Sequence, residues 1–244
     1  GGAVGRFVES YAAMRKGLQQ RHAPKRRDLV SLLSTVSNEA EARHGRTLLR
    51  DYAPYVPSLG MAQEQGGALL RASVRSGALS EALHLLAEHR ELRYVPSLSA
   101  TLFLVQKLGQ AGRTGDALRA HGILVAALPG DARCWSPPYL ETLTRSLLKD
   151  GEYTRAARLF ATFREGGCQP TTRLYRLALA RCADACSEGG DASEDALATV
   201  SVLEGGMKAD RRSDEKCGQL AARARQAAED AKNPPAEEEA PGGE

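Results

Sequence analysis

The chain has 244 residues, of which 42% are hydrophobic, 26% charged and only 5% aromatic, and its formal net charge is +3. That length supports one sizeable core or an elongated stack with a continuous core, and the recurrence of alanine, leucine and arginine favours helix. No run approaches 18 consecutive apolar residues, which excludes a transmembrane helix.

The first stretch is basic. Residues 1–30 carry Arg6, Arg15, Lys16, Arg21, Lys25, Arg26 and Arg27 against Glu9 and Asp28, so 1–27 reads as a basic N-terminal segment. The chain begins with Gly1, a start that loss of a targeting segment, a tag scar or an incomplete chain would each leave.

From residue 28 onward a repeat emerges, and repeats take precedence because missing one miscasts the fold. A first, weaker helix pair is predicted over 28–36 and 40–52, with Asn38 between them. The string Tyr-Val-Pro-Ser-Leu then occurs twice, at Tyr55 to Leu59 and Tyr94 to Leu98, 39 residues apart. Apolar residues at helical spacing predict first helices over 67–76, 98–111 and 138–150. Each ends at a glycine (Gly77, Gly112, Gly151) that is expected to turn the chain in a left-handed conformation. Asn38, which tolerates the same conformation, is expected to do this for the first pair, so the marks lie 39, 35 and 39 apart. Second helices follow at once over 79–90, 114–127 and 153–165. An alanine five residues after each glycine (Ala82, Ala117, Ala156) lets the returning helix pack closely. Pro96 and Pro170, each 19 residues after such a glycine, set an extended lead-in to the next pair. The product is a row of antiparallel helix hairpins, none of which buries its apolar face alone, so stacking supplies the core.

Past the last clear pair, a single helix is expected over 172–186, then one over 192–203 capped by Asp191 and ended by Gly205 and Gly206. The repeat domain therefore spans 28–205, and 206–233 holds a polar C-terminal helix over 213–232. Pro234, Pro235 and Glu237 to Glu239 introduce an acidic tail, 234–244, expected to be disordered.

Catalytic and metal-binding constellations are lacking. His22, His44, His84, His89 and His121 are scattered, and no nucleotide-binding glycine motif, P-loop or HExxH is present. Glu194 and Asp195 stand at a helix start, where they favour the dipole. Cys134, Cys168, Cys182, Cys186 and Cys217 form an odd set without CxxC spacing and read as small buried residues of a reducing compartment. Trp135 and Tyr139 flank Pro137 and Pro138 and read as packing between repeats. The expectation is a non-enzyme with no cofactor, no metal site and no small-molecule substrate.

The run from Pro138 through Leu140, Leu143, Leu147, Gly151, Ala156 and Phe160 to Gly167, Cys168, Gln169 and Pro170 resembles a pentatricopeptide repeat. Stretches around Gly77 and Gly112 resemble it less completely and that around Asn38 faintly, so the resemblance covers roughly 28–186. It implies an all-α fold, a right-handed α-solenoid of stacked antiparallel hairpins, in an organellar protein of the mitochondrial matrix or a plastid. Long arrays of this family read single-stranded RNA one base per repeat. The resemblance places the reading pairs here at Ala68 with Leu98, Phe103 with Arg133, and Thr142 with Thr172. None combines a small polar residue with asparagine or aspartate, which speaks against base-by-base reading. Few degenerate repeats, a basic front and a helical tail are instead similar to pentatricopeptide-type components of the mitochondrial ribosomal small subunit. That arrangement implies ribosomal RNA and ribosomal proteins as partners.

Charge differs between the two helix layers. The first-helix segments 63–76, 98–111, 138–149 and 171–185 sum to +5, whereas the second-helix segments 79–90, 114–127 and 152–165 are neutral. Arg71 with Arg75, and Arg145 with Lys149, are each spaced i, i+4, and both pairs occupy the same places before their glycines. With Arg26, Arg27, Lys107, Arg173, Arg176 and Arg181 they form the candidate set for RNA phosphate contacts, which need charge without base identity.

Overall fold

The computed structural model describes residues 2–212 and 214–232, apart from the side chains of residues 2–5 and 191. Among the described residues every regular element is helical. In chain order these are α1 (Gly2–Gln19), α2 (Arg26–Ser34), α3 (Glu39–Tyr52), α4 (Gln63–Arg75), α5 (Leu79–Ala87), α6 (Leu98–Gln110), α7 (Thr114–Ala127), α8 (Pro137–Lys149), α9 (Tyr153–Glu165), α10 (Thr172–Glu188), α11 (Asp191–Ala209) and α12 (Glu215–Lys232). Single 3-10 turns lie at Ala53–Tyr55 and Ala132–Trp135. Gly1, Ser213 and the acidic tail at 234–244 lie outside the described residues.

The chain divides into two compact units, Gly1–Cys134 and Trp135–Glu244. In the first, α4 packs on α5 and α6 on α7, and because only a few residues join each pair, the second helix must run back along the first. Alternate helices also lie side by side: α2 with α4, α4 with α6, α3 with α5, and α5 with α7. Two polar contacts fix the sense of one such pair. Arg26 meets Glu64 at 3.2 Å where α2 and α4 begin, and Arg75 donates to the Ser34 carbonyl at 3.3 Å where they end. Hence α2 and α4 run parallel. In the second unit α8 folds back into α9, α10 packs against α8, α11 and α12, and α9 packs against α11. Arg176 pairs with Asp214 and Arg223 with Asp184, so α10 and α12 are parallel as well.

The basic N-terminal segment is mostly helix. α1 packs on α3, burying Phe7 and Leu18, and Tyr11 stacks on His44 with ring centres 4.8 Å apart. Tyr55 donates its hydroxyl to the Leu18 carbonyl at 3.0 Å.

Several helix ends share one device. Gly77, Gly112 and Gly151 all have positive φ, as expected, and the amide after each donates to the carbonyl five residues back at 2.9 Å (Ala78 to Ser73, Arg113 to Leu108, Glu152 to Leu147). That bond satisfies a carbonyl the helix would otherwise strand. Three arginines do the same work: Arg21, Arg93 and Arg211 have φ of 63°, 59° and 53° and are followed by His22, Tyr94 and Arg212 donating to Gly17, His89 and Met207.

Several sequence expectations need correction. Asn38 does not end a helix in a left-handed conformation. Its φ of −153° is extended, and its side chain accepts from the Glu41 amide at 2.9 Å, capping α3. Glu41 reaches back to the Ser37 amide at 2.9 Å, so the segment is a variant capping box. α5 stops at Ala87 rather than Arg90: the His89 amide donates to the Leu86 carbonyl three residues back, and a separate turn over 88–93 follows, closed by Arg93 at positive φ. α11 begins at Asp191 and passes through Gly205 and Gly206 to Ala209. Gly206 lies inside the helix, where a Cβ would stand 3.0 Å from the Tyr175 hydroxyl, and the left-handed turn falls instead at Arg211.

The duplicated Tyr-Val-Pro-Ser-Leu strings are not equivalent. Ser97 caps α6 directly, whereas α4 starts only at Gln63, after a turn at Ser58 to Ala62. That turn is tied to the second string: Gly60 and Ala62 donate to the Arg93 carbonyl at 2.9 and 3.2 Å, and Val95 donates to Gln63 Oε1 at 3.0 Å. It absorbs the difference between the 39-residue separation of the strings and the 35-residue separation of Gly77 and Gly112. Tyr55 is half exposed, whereas Tyr94 is fully buried and donates to the Leu85 carbonyl at 2.8 Å.

Tyr94 lies against the bare backbone of Gly66, where an added Cβ would overlap its ring. Gly122, by contrast, sits inside α7 with open space around it. Gly66→Ala should therefore cost about 1–3 kcal/mol through overpacking, and Gly122→Ala should gain about 0.5–1 kcal/mol by relieving helix-interior glycine. Urea unfolding midpoints that moved the same way for both would contradict this packing.

Candidate nucleic-acid interface

The ten candidate cations divide between the units. In the first, Arg26 and Arg27 open α2, Arg71 and Arg75 lie one turn apart on α4, and Lys107 is on α6. Arg26 is engaged by Glu64 and Arg75 by the Ser34 carbonyl. Lys107 is half-buried, with its ammonium 5.8 Å from the centre of the Phe103 ring and 3.2 Å from Gln110 Oε1. Arg27 and Arg71 are exposed and have no carboxylate partner among the described residues.

In the second unit, Arg145 and Lys149 lie one turn apart on α8, and Arg173, Arg176 and Arg181 are on α10, which packs against it. Glu141 holds Arg145 at 2.7 Å and Asp214 holds Arg176. Lys149, Arg173 and Arg181 are exposed, with no carboxylate partner among the described residues. The +5 surplus counted along the first helices is thus smaller in space, because Asp214, from outside those segments, neutralises part of it.

The reading-pair positions are occupied otherwise. Ala68 is buried, Arg133 is held by Asp131 at 2.7 Å, and Thr142 donates its hydroxyl to the Pro138 carbonyl at 2.9 Å. Groups already bonded in this way offer little to a base edge.

Counting charge per layer also missed an ion ladder between second helices. Arg43, Arg46 and Arg50 share one face of α3. Arg43 meets Glu81 at 3.1 Å, Arg46 meets both Glu81 (3.0 Å) and Glu88 (2.6 Å), and Arg50 meets Glu88 at 2.7 Å. Glu81 is nearly buried, which by itself pushes its carboxyl up, but the hydrogen bond from Arg43 and the charge of Arg46 outweigh burial and hold it below the usual range. The signal was in the sequence: arginines at i, i+3 and i+7 on one second helix face glutamates at i and i+7 on the next, about one repeat later. A similar hub forms at Asp210, which accepts from Arg164 at 3.0 Å and from the Tyr175 hydroxyl at 2.5 Å.

Other reactive groups are built into the core. All five cysteines are buried and unpaired as disulfides, and burial pushes the Cys182 thiol up to about 12. Burial also lowers His89 and His121, and His121 lies with Nε2 2.9 Å from the Cys134 carbonyl oxygen, to which a neutral ring donates. Trp135 packs edge-on against Phe163 with ring centres 5.2 Å apart, and Tyr139 is buried. Among the described residues no three His, Cys, Asp or Glu side chains gather as a metal site, and no helix is long and apolar enough to cross a membrane.

Comparison with family models and with curated proteins returns no match for this chain.

Acid should act on these ion pairs in a defined direction. Glu81 and Asp214 are both held below their usual values, Asp214 at about 2 chiefly by the hydrogen bond from Arg176, so each contributes stability at neutral pH that is lost as pH falls through its folded value. For Asp214 the window runs from roughly pH 4 down to about 2. Glu81→Gln should unfold more easily at pH 7 and show a shallower loss of stability on acidification than the parent chain. Parallel acid profiles for the two in circular dichroism would remove the ladder from the account.

Proposed function

We propose that this chain is a non-catalytic helical-repeat scaffold, a pentatricopeptide-like right-handed α-solenoid, that contacts RNA phosphates and neighbouring proteins in an organellar ribonucleoprotein. The small subunit of the mitochondrial ribosome is the assembly its arrangement fits best. The observation that carries the scaffold reading is the recurrence of polar contacts at about one repeat's separation between parallel alternate helices: Arg26 with Glu64, Arg43 with Glu81, Arg50 with Glu88, Arg176 with Asp214 and Arg223 with Asp184. Contacts of that separation are what nearest-neighbour stacking of like units generates. RNA contact is supported by the exposed cations that no carboxylate among the described residues engages, Arg27 and Arg71 in one unit and Lys149, Arg173 and Arg181 in the other. Such groups position a backbone without reading sequence.

A protein-only scaffold in another organellar complex is the second reading. It is favoured by the internal neutralisation of Arg26, Arg145 and Arg176.

Sedimentation of the tagged full chain from organelle lysate, with and without nuclease, separates the two. The first reading expects co-migration with the ribosomal small subunit and loss of that fast-moving particle after nuclease. A particle that survives nuclease intact selects the protein-only scaffold. In the same assay, replacing Arg71, Arg75, Arg145 and Lys149 together with glutamate should weaken association several-fold, and an unchanged profile would remove those side chains from the contact.

A further inference from the structure

The RNA-contacting reading says nothing about the form of RNA, and the second unit does. Residues 135–244 contain six aromatic side chains, Trp135, Tyr139, Tyr153, Phe160, Phe163 and Tyr175. Five of the six are buried, and the sixth, Trp135, is half-buried. Tyr139, Tyr153, Phe160, Phe163 and Tyr175 are buried, Trp135 stands edge-on to Phe163, and Phe160 packs on Tyr175 with ring centres 5.3 Å apart. Among the described residues the surface of this unit therefore offers charge but no fully exposed ring.

Single-stranded RNA is held by two contributions: a basic groove along the backbone and aromatic faces on which unstacked bases lie, each stack worth about 1–3 kcal/mol. A surface supplying only the first contribution gives a single strand little in return for ordering it. A duplex is already ordered, keeps its bases stacked on one another, and shows the protein regular rows of phosphates and 2′-hydroxyls. Lys149 at the end of α8 and Arg173 and Arg181 on α10 are fixed on packed helices, so their positions are set before any ligand arrives. Arg145 and Arg176 are already matched by Glu141 and Asp214 and are left out of the set.

Resting on the RNA-contacting reading, we propose that the α8–α10 face, through Lys149, Arg173 and Arg181, binds the phosphate backbone of base-paired RNA rather than single strands.

The test uses the full chain and two labelled probes: a 20-base-pair RNA duplex of arbitrary sequence, on the order of the span that shape-reading RNA-binding domains cover, and one of its strands alone. Affinities are measured by fluorescence anisotropy across a salt series. The duplex should bind about tenfold more tightly, a preference of about 1.4 kcal/mol. The triple variant Lys149→Glu, Arg173→Glu, Arg181→Glu should lose tenfold or more on the duplex and flatten the salt dependence by about one counterion per cation removed. A second triple variant, Arg119→Glu, Arg158→Glu, Lys208→Glu, makes the same change in net charge at exposed positions on α7, α9 and α11 and should lose less than threefold. Equal losses in the two variants would overturn the assignment to this face. A single strand bound as tightly as the duplex, or more so, would overturn the preference while leaving RNA contact standing. No binding of either probe would overturn the RNA reading itself, and this inference with it.

Discussion

A helix that is apolar on one side needs a second surface to cover that side, and in each unit the surface is supplied by helices that lie alongside it. The left-handed turn after α4, α6 and α8 sends the chain back at close range, so each of those pairs covers part of its own apolar area. What remains is covered by the next helix of the same kind, running in the same direction, as α2 lies along α4 and α10 along α12. Parallel placement makes the polar edges correspond too, so a cation on one helix finds its carboxylate about one repeat farther along the chain.

That correspondence is why charge cannot be read from one element at a time. Glu81 and Glu88 look like ordinary solvated acids on their own helix, yet three arginines of the preceding second helix converge on them. A nearly buried carboxylate of this kind is stable only with its partners present, and removing one partner leaves an uncompensated charge. The first-helix cations are thinned by the same logic, so those facing outward unmatched are fewer than the sequence offers.

The hairpins were legible because their punctuation is chemically narrow. Few residues tolerate positive φ, and Gly77, Gly112 and Gly151 announced their turns and so the helices on either side. Where the sequence misled, a residue type served a second purpose. Asn38 bonds the next helix's amide, Gly206 makes room for Tyr175, and Arg93 and Arg211 adopt a conformation that side chains seldom take. The turn between Ser58 and Ala62 was hidden because the two copies of the string are identical while only the second leads straight into a helix. Of the interface, the identity of the cations could be read but not their engagement, because Asp214 meets Arg176 only once α10 and α12 lie together.

The five buried thiols have a practical consequence. One, Cys134, belongs to the first unit and four, Cys168, Cys182, Cys186 and Cys217, to the second. A thiol shielded by packing reacts with an alkylating reagent only when the surrounding structure opens. The chain thus carries its own reporters, and mass spectrometry of modified peptides against time would read the opening of each unit separately, with no label introduced.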